Sequence, residues 1–257
     1  MNPPRDPLTR ILKQRRMTAL DGGDVRVFLA VPDDLVRRTD VDQILSPEDL
    51  AHVSRFRSER HQRLALASRA LQRYALSACV PVDASAWRFV VDEHGKPSIA
   101  SPSVRPSLSF SVANTIGLVA CAVTVGGPIG IDVEGVKADI PMGVVKRCWS
   151  LQERDALEAL MPEDRPRRFV ETWVAKEAYV KARGLGLLLD LSHVTVRFGA
   201  SGPQLELDPQ LEDAAERWHL TVWAPTSSHV AALCVVNERR GMKCAPQWID
   251  GTDLPIR

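Results

Sequence analysis

The 257-residue chain is 45% apolar and 25% charged, the proportions of a globular protein able to bury a large core in one domain or two modest halves. Its 33 basic residues against 32 acidic ones leave a net charge of +1, which excludes a global field for nucleic acid or a membrane surface, so any basic site has to be local. Cys79, Cys121, Cys148, Cys234 and Cys244 are odd in number and never spaced C-x-x-C, which argues against a disulfide framework or a zinc site and for reduced, mostly buried thiols.

The longest apolar run, Leu118 to Val123, falls far short of the roughly 20 residues of a membrane span. No signal-peptide pattern follows Met1, and the expectation is a cytoplasmic monomer. Residues 1–20, with Arg5, Arg10, Lys13, Arg15, Arg16 and three prolines, read as a flexible basic leader.

Alternation from Val25 to Val31 predicts a strand closed by Pro32-Asp33-Asp34. Ser46-Pro47-Glu48 opens a helical region. Arg55, Arg57, Arg60, Arg63, Arg69 and Arg73 face only Glu59 on a helix whose apolar stripe is Leu64, Leu71 and Tyr74. Such charge is either a solvated face or an anion site. Trp87 to Val91 reads as a strand, and the following turn carries Lys96.

Gly126-Gly127-Pro128 separates strands at Gly117–Val125 and Ile129–Glu134. Ser150 and Glu153 have capping-box spacing at the head of a helix ending near Leu160. A second long helix follows Pro166 and stops at Gly184 and Gly186. Strand-like pieces near Val194–Phe198, Gln204–Leu207, Trp218–Trp223 and Val230–Val236 complete an antiparallel sheet. The tail after Asn237 reads as loosely attached. Residues 21–127 and 128–240 share one order of strand, helical segment and further strands, with 241–257 as the tail. The expected class is therefore α+β, not alternating β-α-β.

Two stretches carry ionisable groups where plain packing needs none. In Gly130-Ile131-Asp132-Val133-Glu134 a strand puts both carboxylates on one face, about 6.5–7 Å apart, where they repel unless solvent or a cation separates them. In Trp173-Val-Ala-Lys176-Glu177-Ala-Tyr-Val-Lys181-Ala-Arg-Gly184-Leu-Gly186, the residues Trp173, Glu177, Lys181 and Gly184 line one side of a helix. A Glu-to-Lys pair one turn apart is also an ordinary stabilising pair of about 0.2–0.5 kcal/mol.

These two stretches, in this order, resemble the motifs of the 4′-phosphopantetheinyl transferases of the surfactin-synthetase type. Fainter likeness extends over most of residues 24–236, at Gly95-Lys96-Pro97, at Phe110 to Thr115 before Cys121-Ala122, and at Val145 to Ser150. The resemblance implies a pseudo-dimer of two similar α+β halves, each with a small, mainly antiparallel sheet packed on helices. It implies transfer of the phosphopantetheine arm of coenzyme A to a serine of an acidic apo carrier protein, with release of 3′,5′-ADP. By motif position Asp132, Glu134 and Glu177 would hold Mg²⁺, Lys181 would meet the phosphate under attack, and Glu177, with Glu134 second, would be the base. Arg60, Arg63, Lys96, Pro97, Ala113 and Asn114 would contact the coenzyme. Lys176 points about 100° from Glu177 and would serve coenzyme binding or support, while Trp173 would pack against the sheet. Lys137, Lys146 and Arg147 would face the carrier, or be a solvated surface.

The chain departs from the pattern where many relatives have Ser-His and this sequence has Ala113-Asn114. It also has Asp49, His52 and Ala65 where some relatives contact phosphate. Those changes bear on coenzyme affinity, and leave a non-catalytic coenzyme A-binding relative as the rival reading.

Overall fold

The computed structural model describes Leu20 and residues 24–38, 41–236 and 246–248, so the leader expected over 1–20 lies, Leu20 apart, outside the described residues. The N-terminal half runs β1 (Val25–Ala30), α1 (Pro32–Arg38), α2 (Val41–Ile44), α3 (Pro47–Val53), α4 (Glu59–Ser77), β2 (Arg88–Val91), β3 (Pro97–Ser101), β4 (Leu108–Thr115) and β5 (Leu118–Val125). The C-terminal half runs β6 (Ile129–Gly135), α5 (Met142–Cys148), α6 (Leu151–Glu158), α7 (Arg165–Arg183), β7 (Val194–Gly199), β8 (Gly202–Leu207), β9 (Trp218–Thr226) and β10 (His229–Val236).

The two halves repeat one topology without repeating one sequence. In each, the first strand lies antiparallel to the last, β1 on β5 and β6 on β10, with β4 or β9 outside. The long helices α4 and α7 have 19 residues each. Corresponding hairpins close on Thr115↔Leu118 and Thr226↔His229. Counting from those pairs, Arg26, Phe28 and Ala30 of β1 stand where Gly130, Asp132 and Glu134 stand in β6.

Strand alternation then builds four layers. Phe28, Ala30, Val119 and Cys121 pack under α4 with Ala67, Leu71 and Ala75. Val230, Ala232 and Cys234 pack under α7 with Val174, Ala178 and Ala182. The opposite faces of the two sheets meet directly, Val25, Val27, Leu29, Ala113 and Ala120 against Ile129, Ile131, Val133, Ala231 and Leu233. Since Ile131 and Val133 belong to that inter-sheet core, Asp132 and Glu134 must face α7.

Three expectations need correction. Pro32 opens α1, because proline suits a first helical turn and Asp33 and Asp34 complement the helix dipole there. The tail is not simply loose: Pro246–Trp248 (β11) pairs in parallel with Val27–Leu29 of the first sheet. The arginine-rich stretch is also partly internal. Arg73 is buried and donates to Asp49 (Nε–Oδ2 2.9 Å) and to the Ala84 and Trp87 carbonyls, at 3.0 and 2.8 Å, and Arg69 lies 3.6 Å from the same carboxylate. Asp49 closes the Ser46 capping box as well, so its carboxylate is an internal hub.

Candidate active site

The site forms where α7 crosses β6. Gly130 allows that crossing, since a Cβ there would sit 2.0 Å from the Ala178 carbonyl oxygen and 2.4 Å from the Ala182 nitrogen. Its counterpart Arg26 instead caps α4 by donating to the Ala78 carbonyl at 2.9 Å. The close approach brings Glu177 and Lys181, one turn apart on α7, against the carboxylates of β6. Apolar Phe28 and Ala30 fill the matching place in the first half, with Phe28 edge-on to Tyr74. Among the described residues the chain therefore carries one such site.

Within it the Lys181 ammonium donates to Asp132 Oδ1 at 2.7 Å. Asp132 is buried, and burial raises its carboxyl pKa, Lys181 opposing and Glu134 adding to the rise. Glu134 accepts from Thr115 Oγ1 at 2.9 Å, so the end of β4 completes the site from the other half. Glu177 is half-buried and makes no hydrogen bond among the described residues. Burial first, then the charges of Asp132 and Glu134, raise its pKa against the opposing effect of Lys181. The cluster thus holds one carboxylate tied to an ammonium, one tied to a hydroxyl, and one without a partner.

Among the described residues, no three carboxylate, imidazole or thiol groups stand close enough together to hold a metal ion. Asp132 feels the charge of Glu134, and Glu177 that of both, without the three closing to ligating distance. Cavities of about 460 and 230 Å³ lie between α6 and the β7–β8 hairpin, and none of the residues expected at the site lines either.

Other expected site residues fall elsewhere. Lys176 does not face a ligand: it is fully buried, and its ammonium donates to the Cys148 and Leu191 carbonyls at 2.8 and 2.9 Å and pairs with Glu153 at 2.6 Å, which leaves support as its role. Lys96 has its ammonium already engaged within the protein, donating to the Lys181 and Ala182 carbonyls at 2.7 and 3.0 Å. Ala113 lies in the inter-sheet core, where its side chain meets no coenzyme, while Asn114 on the other face of β4 is exposed. Pro97 opens β3, half-buried. Arg60 and Arg63 are exposed on the first turns of α4, Arg63 paired with Glu59. Trp173 packs on the C-terminal core and stacks with Phe169.

Thr115 and Gly130 are the contributors that motif reading passes over. Alternation along β4 could have found Thr115, because Ser111, which accepts from the Ile131 amide at 3.1 Å, marks the face that meets β6.

Comparison with known proteins covers both halves. Residues 128–234 match the family model of the 4′-phosphopantetheinyl transferase superfamily, and residues 38–125 match that of the 4′-phosphopantetheinyl transferase N-terminal region. The chain is 28% identical to the 4′-phosphopantetheinyl transferase HetI of Nostoc sp. over 82% of this chain and 85% of that protein. It is likewise 28% identical to the 4′-phosphopantetheinyl transferase Sfp of Bacillus subtilis, over 75% of this chain and 83% of that one. A holo-(acyl-carrier-protein) synthase from Bacillus anthracis, solved with coenzyme A, overlaps 42% of this chain and 94% of its own, with 24% identity and a TM-score of 0.36. With the family matched in each half, and the C-terminal match containing both the acidic-strand and the Glu-Lys helix motifs, the chain belongs to the 4′-phosphopantetheinyl transferases of the two-half type.

Proposed function

We propose that this protein transfers the 4′-phosphopantetheine group of coenzyme A to the serine hydroxyl of an apo acyl, peptidyl or polyketide carrier protein, releasing 3′,5′-ADP. The observation that carries this reading is the unpartnered, half-buried Glu177 one turn from Lys181, opposite two further carboxylates. An alcohol is a poor nucleophile at neutral pH and needs a base, and Glu177 has both the free oxygens and the raised pKa for it. As the serine oxygen bonds to the pantetheine-side phosphorus, the serine proton passes to Glu177, and the P–O bond to the nucleotide breaks. Lys181, whose side chain is 31% exposed, can swing from Asp132 to the phosphate oxygens and hold their developing charge. Glu134, already tied to Thr115, is the second choice as base.

The carboxylate oxygens of Asp132, Glu134 and Glu177 are the donor type that a hard divalent cation such as Mg²⁺ takes, and holding one would draw them closer together than they stand here; its charge would oppose the burial and the mutual repulsion that raise the Asp132 and Glu177 pKa values. When bound, Mg²⁺ would neutralise charge on the pyrophosphate. Exposed Arg60 remains available for the nucleotide, and exposed Asn114 can donate to a phosphate oxygen. Lys146 and Arg147 in the last turn of α5, with Lys137 before it, offer positive charge to an acidic carrier. Three buried free thiols, Cys79, Cys121 and Cys234, suit a reducing cytoplasm, and a monomer suffices because one chain holds a whole site.

Incubating the protein with coenzyme A, Mg²⁺ and a panel of apo carriers, followed by intact mass, tests the proposal. Each accepted carrier gains one phosphopantetheine, and a diverse panel left unmodified would overturn it.

A further inference from the structure

The turn between β2 and β3 reaches out of the N-terminal half and grips the end of α7. Its shape is set internally: Asp92 Oδ1 accepts from the amides of His94 and Lys96, at 3.0 and 2.8 Å, and the Asp92 amide donates to the Lys96 carbonyl at 3.1 Å. From this turn the Lys96 ammonium donates to the carbonyls of Lys181 and Ala182, residues 85 and 86 positions away in the chain. Those are last-turn carbonyls, which have no partner within a helix and carry the negative end of its dipole.

The receiving surface is shaped for this contact. Gly184, left-handed at φ 72°, leaves space for the lysine stem, since a Cβ there would lie 3.2 Å from Lys96 Cδ. A Cβ on Gly186 would stand 2.9 Å from the His94 carbonyl oxygen. The two glycines thus do more than stop the helix; they admit the turn. Lys181 is held at both ends, its carbonyl by Lys96 and its ammonium on Asp132.

We propose that Lys96 is a positioning residue that latches the two halves together, fixing the end of α7 so that Lys181 stays in line with Asp132 and the reacting phosphate. The kinetic part rests on the transfer reaction above; the latch itself does not.

Lys96→Met keeps the stem and removes the ammonium, and Lys96→Arg returns a cation. Hydrogen exchange read by mass spectrometry should show the α7 amides at Ala182 to Gly184 opening at least about tenfold faster in Lys96→Met, with β6 unchanged as the control for folding. In steady state, kcat for carrier modification should fall at least about tenfold while KM for coenzyme A stays within about twofold, and Lys96→Arg should recover most of both losses. Gly186→Ala, which pushes the turn off with Lys96 intact, should reproduce the exchange defect. Unchanged exchange in Lys96→Met, or a raised KM for coenzyme A with kcat preserved, would overturn the latch and make Lys96 a coenzyme contact or a bystander. Exchange needs no turnover, so a wild-type protein that modifies no carrier would sink the transferase reading and leave this measurement to decide the latch.

Discussion

Replacing Gly130 with alanine tests how the site is assembled. The new methyl would stand 2.0 Å from the Ala178 carbonyl oxygen and 2.4 Å from the Ala182 amide, both backbone atoms of α7 that cannot swing aside. Restoring ordinary contact requires α7 to move off β6 by about 1.4 Å, and a misplacement of about 1 Å at a reacting centre can cost about 10²-fold in rate. Overpacking of this kind also costs about 1–3 kcal/mol of stability, enough to lower Tm by a few degrees without unfolding the protein at 25 °C. Gly127→Ala is the control, because a Cβ there meets nothing within 4 Å. Carrier modification should fall about 10²-fold in kcat for Gly130→Ala and stay at the wild-type level for Gly127→Ala, each measured with saturating coenzyme A. A Gly130→Ala enzyme within about threefold of wild type would refute the idea that helix-to-strand distance sets the site.

Asp132→Ala should cut transfer at least about 10²-fold and leave the far-ultraviolet circular dichroism unchanged, since it removes the partner of Lys181 without opening the inter-sheet core. Glu177→Gln should abolish transfer yet raise Tm at neutral pH. The Glu177 pKa is raised in the fold, so the native state holds the proton more tightly and stability falls as pH rises through that window, a penalty that glutamine removes. Lys176→Met should destabilise by about 3–5 kcal/mol in urea titration, because it strands buried Glu153 without its cation. At Asp213, burial is outweighed by hydrogen bonds from Tyr179, Trp218 and the Ala214 amide and by the charge of Arg183, which together lower the pKa. Its stabilisation is therefore present above the ordinary aspartate pKa and lost as pH falls through the folded one. Asp213→Asn should flatten the acid side of a Tm-versus-pH curve.

What the sequence reveals about this site follows from the range over which its signals act. Alternation in β6 foretells that Asp132 and Glu134 share a face, and helical spacing foretells the same of Glu177 and Lys181, because both are consequences of local geometry. The capping boxes at Ser46 and Ser150 are local too; the first closes on Asp49 and the second, as expected, on Glu153. Between coenzyme binding and support at Lys176, and for the anion contact at Lys96, the sequence cannot decide: a cation in a sequence looks available, and the Glu153 carboxylate and α7 carbonyls that occupy the two lysines come from elsewhere in the chain. Arg69 and Arg73 looked uncompensated because Asp49 approaches only once α3 folds onto α4. Three-residue β11 carries no periodicity to read. The doubled order of elements shows in the sequence, but the residue-by-residue match of the halves does not, because Phe28 and Ala30 stand in β1 where Asp132 and Glu134 stand in β6, and only the strand register reveals the correspondence.

The most direct test of the transferase assignment counts both products of one reaction. With coenzyme A, Mg²⁺ and an accepted apo carrier, chromatography of the nucleotides alongside intact mass of the carrier should give one 3′,5′-ADP for each serine modified, and neither product when that serine is alanine. Release of 3′,5′-ADP without carrier modification, or unmodified carriers throughout, would contradict it.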